Sequence, residues 1–297
     1  MSVPRTSRSR SPDPALVLRS LAGDDEHFPA SLGDLPVPLE RLWYLGDAAL
    51  LRRAPAIAIV GTRDATPYGM RVATDLARAF ARAGALVVSG MARGIDAAAH
   101  RAALDAQGAT VAVLGTGADV PYPAGHRALH HRLAREGLVI SQFPPGMRAF
   151  RGCFPRRNQV IAALSGITIV VEAGFKSGAL LTAHASLDLG RVVAAVPGPI
   201  DSPQSQGTNE LLRDGAVVIT SAADALQLAG LTPVLRQVDV PVGDPKVVWD
   251  ALAKGAVSMD LLCTRSGLPV QRCLVAVTEL ELRGLVECRL TGEVARR

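Results

Sequence analysis

Arginine and phenylalanine alternate in one short segment of the chain, residues 148–157. The segment reads Arg-Ala-Phe-Arg-Gly-Cys-Phe-Pro-Arg-Arg and places four arginines around Phe150 and Phe154. Guanidinium groups bind phosphates and aromatic rings stack on unpaired bases, so this combination suits single-stranded nucleic acid. The alternative is that both rings fill the core while the arginines face solvent. We predict that Phe154, between glycine, proline and arginines, stacks on a base, and for Phe150 both interpretations stay open.

Glycine-rich turns with cations follow several predicted strands. These turns cover residues 61–69, 89–96, 115–117 and 172–178. Three of them carry a cation, which is Arg63, Arg93 or Lys176. Glycine lets backbone N–H groups close around an anion, and the N-terminus of a following helix adds positive potential. Because ligands of open parallel sheets bind beyond the carboxyl ends of the strands, the turns predict an anion site at this edge.

Motifs for other kinds of anion site are absent. No GxGxxG follows the first predicted strand, and Ser89 stands where an acidic residue would hold the ribose of a nicotinamide cofactor. Lys176-Ser177 lacks the upstream glycine of a Walker A motif, which argues against ATP hydrolysis. The histidines at 126–131 have no carboxylate at metal-ligand spacing, and Ser177 has no complete hydrolase triad. We therefore expect no catalytic residue, no cofactor and no metal.

The turns can meet at one edge only if the strands before them form a parallel sheet. Short apolar runs predict strands at 56–60, 86–89, 111–114, 138–141, 167–171, 192–196 and 217–219. Helical patterns separate them at 70–83, 97–106, 127–135, 159–164, 180–189 and 209–213. This alternation predicts an α/β domain with a doubly wound parallel sheet over residues 26–231. Residues 25–50 are expected to form a lead-in segment packed against that sheet.

A second, smaller unit is predicted after a linker. Residues 232–245 hold three prolines and little helical pattern. Helices are predicted at 247–253, 259–266 and 269–283, and a hairpin at 285–294. This order predicts a winged-helix-like domain over residues 246–297, with a plain three-helix appendage as the alternative. Its last helix mixes two arginines with Glu279 and Glu281, which favours weak duplex binding or a protein contact over base reading.

Composition sets wider bounds on the chain. It has 297 residues, 48% of them hydrophobic, and a formal net charge of +5, and only Lys176, Lys246 and Lys254 are lysines among its 32 cations. No run approaches the roughly 20 apolar residues of a membrane span. The four cysteines are scattered without a CxxC pair, which favours a reducing cytoplasm. Residues 1–25, with basic residues among serine and proline, are predicted to be a disordered tail.

Several blocks of the sequence together resemble the DNA-processing protein A family, also called DprA or Smf. The matching blocks, which cover about residues 26–228 in order, are Val60–Arg63, Ser89–Asp96, Phe154–Asn158, Ile161–Ser165, Lys176–Ala183, Val196–Gly198 and Gly207–Leu212. The sequence departs from the family pattern at Gln159, where an arginine is usual, and at Thr62 and Ala179, where serine is common. Residues 1–25 are too short for the N-terminal helical module of many members.

The resemblance implies a fold, a function and a set of site residues. It implies an extended Rossmann-like domain without enzymatic activity that binds and protects incoming single-stranded DNA and loads the RecA recombinase in natural transformation. It also implies a homodimer, with single-strand DNA-binding protein as a further candidate partner. Arg63 would bind a phosphate, Arg151 would supply a basic contact, and Phe154 would stack on a base. The full set of expected DNA- or phosphate-binding residues is Gly61, Thr62, Arg63, Ser89, Gly90, Arg93, Gly94, Arg151, Phe154, Arg156, Asn158, Lys176, Ser177 and Gly178.

Two other functions remain open from the sequence. A phosphoribohydrolase-like enzyme that processes nucleotides would use the same Rossmann scaffold, but residues 172–178 lack the PGGxGT loop of such enzymes. A transcription regulator would bind DNA through the winged helix and sense a nucleotide at the sheet. Release of free base from nucleotides would favour the enzyme.

Overall fold

The computed structural model describes residues 16–232, 242–289 and 292–296. The chain divides between Val234 and Leu235 into two compact units. Residues 1–15 of the predicted tail and residues 233–241 of the predicted linker lie outside the described residues. Within the described ranges, no helix is long and apolar enough to cross a membrane.

The first unit is built on a nine-stranded sheet. Its strands are β1 Arg19–Ala22, β2 Arg41–Gly46, β3 Ala56–Val60, β4 Leu86–Ser89, β5 Thr110–Val113, β6 Leu138–Ser141, β7 Ile167–Val170, β8 Val192–Ala195 and β9 Val217–Val218. They lie in the order β1-β2-β6-β5-β4-β3-β7-β8-β9. All pairs from β6 to β9 are parallel, while β1 and β2 pair antiparallel at one edge. Valine and isoleucine dominate the central strands because both faces of these strands are covered by helices.

Seven helices cover the two faces of the sheet. They are α1 Pro67–Arg82, α2 Ile95–Asp105, α3 Arg127–Glu136, α4 Cys153–Leu164, α5 Gly178–Asp188, α6 Gln206–Arg213 and α7 Ala222–Leu228. Helices α1, α2 and α7 pack on one face against residues such as Ile57 and Ile59 of β3. Helices α4, α5 and α6 pack on the other face against Ala58 and Val60 of the same strand. The unit is therefore a doubly wound α/β domain, which confirms the fold class predicted from the sequence.

The direction of winding reverses at β3. The chain runs from β3 through β4 and β5 to β6, then crosses back through residues 142–166 to β7 on the other side of β3. The register places Ile57 beside both Val87 of β4 and Ile167 of β7. A crevice opens at the carboxyl ends of two strands whose connections diverge in this way, and ligands of such folds bind there. Helix α4 lies on the returning segment, so its first turn is brought to this crevice.

Two expectations for the N-terminal region need correction. Residues 1–25 were expected to be disordered, but Arg19–Ala22 form β1, the edge strand. The lead-in segment does not merely pack against the sheet, because Arg41–Gly46 join it as β2, with Trp43 opposite Ser141 of β6. Leu42 and Tyr44 are buried and Arg41 is exposed, which gives β2 its inward-facing side. Only a short 3-10 helix, Ala30–Asp34, lies between these antiparallel strands, so the alternation of strands with α-helices could not reveal them.

The second unit is a winged helix, as predicted. It contains α8 Asp244–Ala251, β10 Val257–Ser258, α9 Met259–Ser266, α10 Val270–Leu282, β11 Val286–Cys288 and β12 Glu293–Arg296. The strands pair antiparallel in the order β10-β12-β11. Val248, Leu262, Cys273 and Leu280 form its core with Val294 of the wing. Strand β10, which the sequence pattern did not reveal, completes the small sheet.

Candidate nucleic-acid interface

Two adjoining cavities open at the crevice beside β3. The first, the aromatic cavity, has a volume of about 290 Å³ and is lined by Arg63, Gly90, Ala92, Arg93, Gly115, Tyr122, Pro123, Phe154 and Arg157. The second, the switch-point cavity, has a volume of about 430 Å³ and is lined by residues of the turn after β3, by Asp96, by the first turns of α4 and by Ser177–Thr182. Arg63, Ala92, Phe154 and Arg157 line both. These shared residues form the ridge between the two cavities.

Phe154 is the aromatic center of this ridge. Its ring is half-buried, and the ring of Tyr122 lies 5.4 Å away, centroid to centroid, tilted by 41°. The Arg63 guanidinium carbon lies 5.4 Å from the Phe154 centroid, within range of a cation–π contact. Gly115 allows the ring to lie this deep, because a Cβ there would come within 3.1 Å of the ring. The ridge therefore combines a fixed aromatic face with a cation beside it.

Arg157 is the buried support of the ridge. Its guanidinium donates to the carbonyl oxygens of Gly90 and Val113 at 2.6 and 2.9 Å, and to Asn158 Oδ1 at 2.9 Å. Burial lowers the pKa of Arg157, and the charge of Asp96 acts against this shift. A Cβ on Gly90 would collide with the Arg157 guanidinium, so the turn after β4 needs glycine at this position. Arg157 thus ties α4 to the turns that follow β4 and β5.

Asp96 holds the same turn from the opposite side. Its Oδ2 atom accepts hydrogen bonds from the backbone N–H groups of Gly90 and Ala92 at 3.1 and 3.4 Å. Burial raises the pKa of this carboxyl, while Arg157 and the backbone donors lower it. Asp96 and Arg157 therefore clamp the turn after β4 between α2 and α4.

Glu172 fixes the turn after β3. Its carboxylate is buried and accepts two hydrogen bonds from Thr66, from the hydroxyl at 2.5 Å and from the backbone N–H at 2.9 Å. The Thr66 hydroxyl also caps α1 by accepting from Gly69 N. The backbone N–H of Thr62 donates to the Glu172 carbonyl at 2.7 Å. Arg63 therefore projects from a loop that is fastened at both sides.

Most of the residues expected from the sequence line the two cavities. These are Gly61, Thr62, Arg63, Gly90, Arg93, Phe154, Asn158, Ser177 and Gly178. Asn158 bridges the site, because it accepts from Arg157 and donates to the Gly178 carbonyl at 3.1 Å. Ser177 caps α5 with its hydroxyl. Arg93 is exposed, with only a distant approach of 3.9 Å to exposed Asp64.

Five expected residues have other positions. Ser89 is fully buried and its hydroxyl donates to the Ile59 carbonyl at 2.7 Å, so this side chain does not face the cavities. Gly94 lines neither cavity and has φ +74°, packed against the Thr62 carbonyl. The other three, Arg151, Arg156 and Lys176, are exposed outside the cavities. The Lys176 ammonium lies 5.2 Å from the centroid of the Phe175 ring.

The sequence reasoning missed Tyr122, Arg157 and Asp96 as parts of the site. Tyr122 precedes Pro123 in a loop without helix or strand pattern, so nothing in the sequence marked it. Arg157 stands in the arginine-rich segment but could not be distinguished from its exposed neighbours. Asp96 is separated from Arg157 by 61 residues of sequence and meets it only through the fold.

The arginines near the cavities and those at α10 differ in their partners. No carboxylate of the described residues forms an ion pair with Arg63, Arg148, Arg151 or Arg156 of the first unit. In the second unit, Arg272 of α10 pairs with Asp244 at 2.6 Å, and Arg283, which directly follows α10, pairs with Glu279 at 3.0 Å. The hydrogen bond from Arg272 lowers the pKa of Asp244. A phosphate at α10 would have to displace these carboxylates, whereas a phosphate at the first unit would not.

The solvent face of α10 also exposes large apolar side chains. Leu274, Val275 and Leu282 on this helix are 46%, 68% and 85% exposed. Helices that read duplex DNA present amide or cationic side chains to the bases. This face therefore suits contact with a protein surface better than contact with a DNA groove.

Comparison with known proteins agrees with this architecture. Residues 19–230 match the family model for DNA recombination-mediator protein A, and residues 239–292 match the DprA winged helix domain. A putative DNA processing protein DprA of Mycobacterium tuberculosis is 48% identical over 258 residues, covering 84% of this chain and 66% of that protein. The chain thus spans about two thirds of the length of that relative.

Two solved structures share the fold. The X-ray structure of DNA processing protein A from Streptococcus pneumoniae is 36% identical with a TM-score of 0.68, covering 71% of this chain and 74% of that one. A Helicobacter pylori DNA processing protein A, studied for its single-stranded DNA binding mode, is 30% identical with a TM-score of 0.65, covering 71% of this chain and 94% of that one. The chain belongs to the DNA recombination-mediator protein A family, also known as DprA or Smf.

Proposed function

We propose that this protein binds single-stranded DNA at the two cavities and acts in DNA recombination and transformation. The observation that carries the proposal is the ridge between the cavities, where the unpaired Arg63 guanidinium stands 5.4 Å from the half-buried Phe154 ring. A cation and an aromatic face side by side suit a phosphate and its unstacked base. Arg63 has no acidic partner among the described residues, so a phosphate would compete only with its contact to the Phe154 ring.

Each part of the site has a role in this proposal. Arg63 and Arg93 contact phosphates. The backbone of Gly61 and Thr62, in the turn after β3, lies along the DNA strand. Phe154 stacks on one base, with Tyr122 beside it in the aromatic cavity. Asn158, Ser177 and Gly178 provide polar groups in the switch-point cavity. Arg157, Asp96 and Glu172 keep these loops in place without contacting DNA.

The wider role follows from family membership. We infer that the protein protects incoming single strands and loads RecA recombinase onto them, and that it works as a homodimer in the cytoplasm. Single-strand DNA-binding protein is a further candidate partner. The α10 face of the second unit serves a protein contact or weak duplex binding, because Arg272 and Arg283 are already paired and large apolar side chains are exposed on this helix.

A competition experiment tests the binding mode. A labelled single-stranded oligonucleotide is bound to the protein and displaced by unlabelled single strand, duplex or mononucleotide. We expect single strand to compete far better than the other two. Phe154→Ala should weaken binding about 5-fold or more through lost stacking, whereas Leu187→Ala, which truncates an exposed side chain on α5, should not. Equal competition by mononucleotide with release of free base would instead indicate a nucleotide-processing enzyme.

A further inference from the structure

Phe150 is an exposed aromatic ring at the start of α4, outside both cavities. It is 47% exposed, yet its position is fixed. Its ring meets the buried ring of Phe143 edge to face, with centroids 6.0 Å apart and planes at 77°. It also lies over Gly152, where a Cβ would come within 3.2 Å of it. One side of the ring is therefore anchored while the other is open to solvent.

Three arginines are linked to this ring, two by sequence and one through the ring that supports it. Arg148 and Arg151 flank Phe150 in sequence, and the Arg156 guanidinium stacks 5.1 Å from the centroid of Phe143, the ring that supports Phe150. All are free of ion pairs with the described acidic residues, and the first turn of α4 has no acidic residue. We call Arg148, Phe150, Arg151 and Arg156 the α4 shoulder. Its charge is uncompensated by the part of the chain that the structure describes.

We propose that the α4 shoulder is a second stacking and phosphate-binding site, which takes nucleotides of the single strand beyond the one held at Phe154. This proposal rests on the single-strand binding proposed above. Phe150 and Phe154 are four positions apart, so their Cα atoms are separated by at most about 14 Å. A strand that leaves the ridge thus reaches the shoulder within a few nucleotides. A protein partner would bind the exposed ring equally well, but the three free cations favour a polyanion.

The length of the bound strand provides the test. Binding is measured by fluorescence anisotropy with oligonucleotides of about 4 and about 16 nucleotides, since a short strand fills one site and a long one spans several. The variants are Phe150→Ala, Phe150→Trp and Phe154→Ala, and Leu187→Ala serves as the control because this side chain is similarly exposed at 54%. Thermal unfolding of each variant is measured in parallel.

The proposal predicts a pattern that depends on length. Phe150→Ala should lose about 5-fold or more in affinity for the long strand and be unchanged for the short one. Phe150→Trp should retain the affinity, and Phe154→Ala should lose affinity for both strands. If Phe150→Ala binds both strands like the wild type while Phe154→Ala is impaired, the shoulder proposal fails and the ridge stands. An equal loss for both strands in Phe150→Ala also overturns a second site, and an unimpaired Phe154→Ala overturns the proposed function itself.

Discussion

The salt dependence of single-strand binding depends on which arginines are free. Each phosphate that a cation neutralises releases counterions, and for single strands the slope of log K against log salt is about −0.7 per contact. Five exposed arginines stand at the aromatic cavity and the α4 shoulder, and only Arg93 among them approaches a described carboxylate, that of exposed Asp64 at 3.9 Å. The five are Arg63, Arg93, Arg148, Arg151 and Arg156. If all five bind phosphates, the slope is about −3.5 and affinity falls about 100-fold between about 50 and 200 mM salt.

Substituting one arginine at a time measures how much each arginine contributes to the salt dependence of binding. Arg63→Ala should make the slope less steep by about 0.7, and Arg148→Ala should do the same with a long strand. Arg272→Ala is the matched control, because this arginine is exposed but held by Asp244 at 2.6 Å. It should leave the slope unchanged. The assay is anisotropy of a labelled strand at five or more salt concentrations.

One result would refute this reasoning. If Arg272→Ala changed the slope as much as Arg63→Ala, pairing within the protein would not decide which cations bind DNA. A wild-type slope close to zero would refute the phosphate contacts altogether.

Three further predictions concern the support of the site. Arg157→Met should lower the free energy of unfolding by about 3–5 kcal/mol, because it leaves two buried carbonyls and Asp96 without their cation. If urea unfolding showed a loss below about 1 kcal/mol, Arg157 would not clamp the turn after β4. Asp96→Asn should gain stability relative to the wild type as the pH rises above 3.8, because burial raises the pKa of Asp96 and its ionisation in the folded state is unfavourable; a difference that is constant with pH would contradict this. Gly94→Ala should destabilise the protein by about 1–2 kcal/mol, since an L residue at positive φ is strained and its Cβ would collide with the Thr62 carbonyl. Unchanged thermal unfolding and single-strand affinity in this variant would show that the turn can adjust.

The central sheet was predictable because its strands carry a strong local signal. Parallel strands buried on both faces need apolar side chains throughout, and the seven predicted strands agree with the observed bounds within one residue at each end. The antiparallel strands β1 and β2 carry a weaker signal, because Arg19 and Arg41 are exposed at their first positions. Strand β10 has only two residues, and its pairing with β12 depends on contacts distant in sequence.

The predicted start of α4 differs from the observed one, and Pro155 lies between the two. A helix was predicted from residue 159, yet α4 begins at Cys153, so Pro155 is its third residue. Proline is tolerated there, because the N–H groups of the first turn have no partner within the helix. The earlier start places Phe154 in the first turn of α4, where it forms the ridge. A segment that the sequence presented as a loop is thus part of the rigid scaffold.

The site residues were predictable by chemistry but not by burial. Glycine-rich turns after parallel strands identified the edge, since strand topology alone brings their ends together. The burial of Ser89 was not predictable, because its hydroxyl donates to the Ile59 carbonyl of the neighbouring strand, a contact that sequence spacing does not reveal. Arg157 was overlooked because the sequence does not distinguish a buried arginine from the exposed arginines beside it.

Arginine therefore has three different environments in this protein, and only one of them favours DNA. Arg157 is buried and donates hydrogen bonds to the Gly90 and Val113 carbonyls, so it holds the loops of the site in place. Arg272 is exposed but bound to Asp244, so a phosphate gains little by replacing an equally charged partner. Arg63 is neither buried nor paired, and its guanidinium rests on an aromatic face that leaves its N–H groups open. The net charge of +5 describes the whole chain. The free energy of binding a polyanion comes instead from those exposed cations that have no carboxylate partner in the folded protein.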